Sequence, residues 1–256
     1  MIHHTAIIDP TARIADNVEI GPWTFVGPNV EIDEGTWIGP HVVIRSSTKI
    51  GKSNKIFQFA SLGEDPQDKK FQGEQTYLEI GDRNVIREFC TFNRGTAQDK
   101  SVTHIGNDNL FMAYVHIAHD CLVGNNTIFA NNASLAGHVI VEDFVVMSGF
   151  SGASQSCRVG AHSFASMGSM IDKDVPPFVK VSGYYAKPFG LNIVGMRRRG
   201  FSAETMLCLR RAYKIIYRQG LTIKQALEHL NEMLLTCPEV QLFIDFINVS
   251  QRGLVR

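Results

Sequence analysis

Two histidines, a carboxylate and a glycine stand at spacings that would let them act together. Asp120 directly follows His119, Gly137 comes eighteen residues after His119, and His138 comes eighteen after Asp120. An imidazole beside a carboxylate can serve as a general base, with the carboxylate orienting the ring. A glycine amide close to that imidazole could hold a developing oxyanion. His116, His119 and His138 also offer three imidazoles, so a zinc site is a competing reading. Neither chemistry exists unless the chain returns to the same place after eighteen residues.

A repeat of six provides that return. From Ile8, the apolar residues Ile14, Ile20, Val26, Ile32, Ile38, Ile44, Ile50, Ile56 and Leu62 follow at every sixth position. Four residues after each comes mostly a small or β-branched one, such as Ala12, Val18 and Thr24. The frame returns at Ile80, Ile86 and Phe92; after an interruption near 95–102 it resumes one residue out of phase and runs from Ile105 through Ile117, Leu135 and Ala153 to Ile171. A helix repeats its apolar face every 3.6 residues and a strand every 2, so a strict six means short strands separated by turns. Three such strands make a triangular coil of about eighteen residues, and successive coils stack roughly 4.8 Å apart. Glycines after the apolar residue, as at Gly27, Gly81 and Gly124, fit corners where a side chain would clash. His119, Gly137 and Gln155 then form one outer column, with Asp120, His138 and Ser156 beside it.

The pattern stops at Pro176-Pro177, which divides the chain into a mainly β hexapeptide-repeat domain over 1–176 and a linker with a small helical domain over 177–256. Ser202 as N-cap, helical spacing to Ile216 and Gly220 as a stop describe one helix; 222–235 reads as a second, and Pro238 begins a third. These helices are expected to cover the open last coil. The stretch 61–77 keeps the phase of six without its apolar spacing and reads as an external loop. Lys plus Arg and Asp plus Glu both total 25, giving zero formal charge and no strong field toward nucleic acid or membranes. Five cysteines without CxxC spacing argue against a disulfide framework and fit a reducing cytoplasm. No apolar run approaches a bilayer span or a secretory leader, so the expectation is a soluble, unexported protein. His3, His4, His41 and His162 read as structural or incidental. Arg197-Arg198-Arg199 reads as a solvated cluster or as a site for phosphates or an acidic protein.

Three segments together carry a resemblance: Val115-His116-Ile117-Ala118-His119-Asp120-Cys121, Leu135-Ala136-Gly137-His138-Val139 and Met196-Arg197-Arg198-Arg199-Gly200-Phe201. With the Asp68-Lys69-Lys70 loop they closely resemble the UDP-N-acetylglucosamine O-acyltransferase family, which begins lipid A synthesis. The resemblance runs essentially end to end and implies a left-handed parallel β-helix, a homotrimer with active sites between neighbouring copies, and no metal or soluble cofactor. It implies a (R)-3-hydroxyacyl thioester on acyl carrier protein as donor and UDP-N-acetylglucosamine as acceptor. His119 would take the proton of the sugar 3-hydroxyl, Asp120 would orient it, and the Gly137 amide would stabilise the oxyanion. Asp68 and Lys70 match contacts to the sugar and the acyl hydroxyl, and His138 sits beside the sugar. Gln155, Asn192 and Arg198 match positions holding the acyl chain or nucleotide, with His116 and Arg199 in the same substrate-binding set. Met167 falls where the acyl groove ends, which suggests a preference on the order of ten carbons.

Departures from the family pattern are Asn93 within Thr91-Phe92-Asn93-Arg94-Gly95-Thr96, Ser154 before Gln155, and Gly183-Tyr184-Tyr185-Ala186. Asn93 could reflect an acceptor with an amine at C3, making the product an amide. The alternatives are a same-scaffold N-acyltransferase, whose extra N-terminal domain has no place before a repeat starting at Ile8, a coenzyme A acetyltransferase, and a non-catalytic scaffold.

Overall fold

The computed structural model describes residues 1–256, and its strands form three sheets wound as a β-helix, parallel throughout except for the antiparallel last pair, Val179–Ser182 with Lys187–Leu191. Face one runs from Ile7–Ile8 to Met170–Ile171, face two from Arg13–Ile14 to Arg158–Val159, and face three from Glu19–Ile20 to Lys187–Leu191, with nine, eight and ten strands. Most strands are two residues long, because each hexad has only two residues between turns. Such strands gain stability from stacking. Val26, Ile38, Ile44, Ile50, Ile56 and Leu62 have no exposed surface, and Phe92, Phe111 and Phe129 continue the interior at ring separations of 4.9 and 5.1 Å. Fully burying each such side chain contributes about 1.5–3 kcal/mol.

The register explains both breaks in the repeat. Ile117 pairs with Leu135 and Leu135 with Ala153, eighteen residues apart. Leu62 pairs with Phe92, so that coil carries twelve extra residues and keeps the phase of six. Phe92 pairs with Ile117, twenty-five residues on, and the seven extra residues produce the one-residue slip. Both insertions leave the edge between faces one and two, here called the first edge.

Each edge also places a residue with positive φ, and these are mostly not glycine: Asp120, His138 and Ser156 lie at φ 59°, 62° and 61°. The ladders on either side hold these left-handed turns against their intrinsic cost. The corner glycines serve a different purpose. At Gly81, a Cβ would lie 2.7 Å from the Gly106 carbonyl oxygen of the next coil.

Strand Val179–Ser182 adds to face three beyond the two prolines by pairing with Phe164 and Ala165, so β-structure runs past residue 176. Helix α1 (Ile193–Arg198) was not expected from the sequence; α2 (Ala203–Arg218), α3 (Ile223–Met233) and α4 (Gln241–Val249) match the three anticipated helices. Ser202 caps α2 by accepting from the Thr205 amide, and Thr222 with Gln225 forms a capping box on α3. The C-terminal segment covers the last coil as expected: the buried Asp174 carboxylate accepts from Ser250 Oγ and from the amides of Gln251 and Arg252. Phe178 meets Phe243 of α4 at 5.6 Å. No helix is long and apolar enough to cross a membrane.

Candidate active site

At the first edge the strand His116–Ile117 ends and the turn through Asp120 begins. His119 Nδ1 lies 2.8 Å from Asp120 Oδ2, with the two side chains 11% and 0% exposed. The carboxylate, expected to be outward-facing, is buried beneath the second insertion. Thr96 donates to it twice, from its amide to Oδ1 at 2.9 Å and from its hydroxyl to Oδ2 at 2.6 Å. The Asp120 amide in turn donates to Thr103 Oγ1 at 2.8 Å. An ionised carboxylate only accepts, so His119 meets it with a proton on Nδ1 and keeps the Nε2 lone pair free to act as a base.

Gly137 stands where the frame predicted. The His138 amide donates to the His119 carbonyl at 3.0 Å, and the Ser156 amide to that of Gly137 at 3.0 Å, so the column is continuous. A Cβ on Gly137 would lie 2.6 Å from His119 Cε1 and 2.7 Å from Nε2, so no larger residue fits under the ring. The Gly137 amide makes no backbone hydrogen bond. The repeat leaves that position unpaired, which is why Pro10, Pro22, Pro28 and Pro40 occupy it in earlier coils. An unpaired donor therefore lies beside a free imidazole nitrogen, as an oxyanion hole requires.

His138 crosses His119 edge to face at 5.0 Å, with Nδ1 2.8 Å from Asp99 Oδ2 and Nε2 3.9 Å from Asp120 Oδ2. His116 points to Thr91 Oγ1 at 2.7 Å. Burial chiefly, and His119 to a lesser degree, lowers its pKa and favours the neutral ring. The trio capable of meeting a metal is His119, Asp120 and His138, not the three histidines considered from sequence. Its carboxylate already accepts from Thr96 and His119, so the arrangement favours proton transfer over metal binding. The thiols of Cys90 and Cys121 are buried and pushed up to about 12, which makes them poor nucleophiles at neutral pH.

The first insertion carries Asp68 and Lys70. Asp68 Oδ1 accepts from the Lys70 amide at 3.0 Å, and Lys70 is exposed. The root of this loop is tied to the next coil: Arg94 donates to the Gly63 carbonyl at 2.8 Å and pairs with Asp65, and Asn93 Nδ2 donates to the Asp65 carbonyl at 2.6 Å. Asn93, weighed above as a mark of an amino sugar, is buried and fastens the loop.

The first edge thus gathers His119, Asp120, Gly137, His138 and Gln155, with His116 on the adjoining face and Asp68 and Lys70 on a loop from the same edge. Met167 lies on the third edge, between faces three and one, and is 72% exposed. Asn192 caps α1, its Oδ1 accepting from the Gly195 amide and its Nδ2 donating to the His162 carbonyl on the second edge. Arg199 donates to the Phe144 carbonyl at 2.9 Å on that edge, while Arg198 is exposed. Within one chain these residues do not meet the first edge. Sequence reasoning missed Thr96, Thr103 and Asp99; the phase slip near 95–102 was the available signal.

Comparison with known proteins gives the family of the chain. Residues 174–255 match the model of UDP-N-acetylglucosamine O-acyltransferase domain 2, and 103–137 match the bacterial transferase hexapeptide repeat. An acyl-[acyl-carrier-protein] UDP-N-acetylglucosamine O-acyltransferase of Thiobacillus denitrificans is 62% identical, covering 100% of this chain and 99% of the relative. One from Pseudomonas savastanoi is 59% identical, with coverage of 100% and 99%. The Acinetobacter baumannii structure is 52% identical with a TM-score of 0.98, covering 100% of this chain and 99% of that one. The Francisella novicida UDP-N-acetylglucosamine acyltransferase is 42% identical with a TM-score of 0.98, and coverage is 100% and 94%. At such identity over its whole length, the chain belongs to the UDP-N-acetylglucosamine O-acyltransferase family.

Proposed function

We propose that this protein moves a (R)-3-hydroxyacyl group from acyl carrier protein to the 3-hydroxyl of UDP-N-acetylglucosamine, the first step of lipid A synthesis, in the cytoplasm. The observation that carries the proposal is His119, held by Asp120 and seated against the unpaired Gly137 amide. His119 Nε2 takes the hydroxyl proton as the sugar oxygen attacks the thioester carbonyl. The Gly137 amide receives the oxyanion. Collapse expels the carrier thiolate, which takes the proton from the imidazolium and leaves a free thiol.

Asp68, Lys70, His116 and His138 surround the sugar and the acyl hydroxyl in this reading, and no cofactor is needed. Gln155, Met167, Asn192, Arg198 and Arg199 serve the acyl chain and nucleotide. Because Met167 and the α1 residues lie on other edges, the site is completed by another copy in a homotrimer of left-handed β-helices. The functional division falls at 176/177, with the basic C-terminal region meeting the acidic carrier. An acyl-transfer assay with carrier-bound and coenzyme A thioesters tests the reading. His119→Ala should lower kcat/KM about a thousandfold with an unchanged Tm. Retained activity, or a preference for coenzyme A thioesters, would discard it.

A further inference from the structure

The second insertion contributes to the acid-base pair as well as to the fold. Its residues 93–96 form one strap: Asn93 and Arg94 grip the root of the first insertion, Gly95 turns, and Thr96 reaches Asp120. At Gly95 a Cβ would lie 2.2 Å from the Val102 amide nitrogen, so the chain crosses itself there and only glycine passes. Thr96 is buried, and its carbonyl accepts from the Asp99 and Ser101 amides, which fixes the turn. From that turn Asp99 reaches His138 Nδ1.

We propose that Thr96 is a positioning residue for the reaction, acting through Asp120 on His119. The proposal rests on the role of His119 given above. The Thr96 hydroxyl and His119 Nδ1 share one oxygen, Oδ2, at 2.6 and 2.8 Å. Two consequences follow from that sharing. With both carboxylate oxygens held, the plane of Asp120 is fixed, so His119 is locked with Nε2 toward Gly137. The hydroxyl also takes part of the charge on Oδ2, which moderates how strongly the carboxylate stabilises imidazolium. The other groups facing His119 are the edge of His138, with Asp99 behind it, and His116 on the preceding strand.

Thr96→Val removes the hydroxyl and leaves the backbone donor. The expected result is a fall in kcat of about tenfold to a hundredfold, the scale of one hydrogen bond to an ionised group, with KM for the sugar nucleotide changed less than about twofold. Oδ2, freed of one donor, binds imidazolium more strongly, so the acid limb of the kcat/KM profile moves up by about half a pH unit. Thr96→Ser should restore both rate and profile. In 15N-histidine spectra of the whole protein, His119 should carry its proton on Nδ1, and in Thr96→Val that resonance should broaden as Asp120 and the ring lose their fixed orientation. His119→Ala is assayed in parallel. If His119→Ala is inactive while Thr96→Val keeps the wild-type rate, profile and spectrum, the positioning role is wrong and the base assignment stands. If Thr96→Ser is as impaired as Thr96→Val, the effect is one of packing and the proposal also fails. If His119→Ala is active, the base assignment fails first.

Discussion

The first and third edges of this prism use the same turn and do different work. On the first edge the positive-φ position holds Asp120 and His138, and the two insertions fold over them. On the third edge it holds Trp23, His41, Phe59, Phe89, Tyr114 and Phe150, interrupted by Asn132 and ended by Gly168, with no insertion. From His41 to Tyr114 these rings stack at 5.4, 5.1 and 4.8 Å. Apart from His41 they are among the most exposed large apolar side chains of the chain. Identical backbone therefore presents a buried polar site on one side and an apolar ladder on another. The coil sets spacing, and side-chain identity with insertions sets chemistry. A contiguous exposed apolar patch of this kind marks a binding surface.

Gly137→Ala would break the polar side of this contrast. Its Cβ enters the space of the His119 ring, so kcat should fall about a hundredfold, with the far-ultraviolet spectrum unchanged. Equal activity would show that Gly137 is not beside the reacting atoms. On the apolar side, the homotrimer proposed above makes a prediction: Phe89→Ser with Tyr114→Ser should give monomers in sedimentation velocity where the wild type gives trimers, and lower activity about tenfold in dilute solution. Intact trimers would mean that the ladder only supports its own coils. Met167→Gly sharpens the link between the edges: the preferred acyl chain should lengthen by several carbons in competition assays, while the rate on the best substrate changes only a few-fold. An unmoved preference would leave methionine as packing alone.

The smallest expected effect belongs to the second edge. His162 stacks between Phe144 and Phe178 at 4.8 and 5.2 Å, and burial first, then Arg199, lowers its pKa to about 4. The unfolded chain takes up this proton near pH 6.5 and the folded chain does not, so stability is full above that value and falls as pH drops toward 4. His162→Phe should keep the stack and flatten the dependence of Tm on pH over that window. An unchanged slope would place the effect in other groups.

The three conventional helices were legible because caps and stops are local signals. Ser202, Thr222 and Gly220 act within a few residues of themselves. Helix α1 carries no such local signal because it has six residues and depends on Asn192, which also holds His162 from thirty residues away. The prolines at 176 and 177 ended the hexads in sequence, but face three accepted one more strand because Val179–Ser182 offered alternating buried residues to its open edge.

By itself the sequence determined the coil. A strict period of six gives every apolar residue the same environment, so spacing alone puts His119, Gly137 and Gln155 in one column. Only the tertiary structure decided what covers that column. Thr96 meets Asp120 across twenty-four residues and Asp99 meets His138 across thirty-nine, separations that are not multiples of eighteen and follow no period. Insertions leave the ladder, and once outside it their path is set by packing and hydrogen bonding over distance rather than by local pattern.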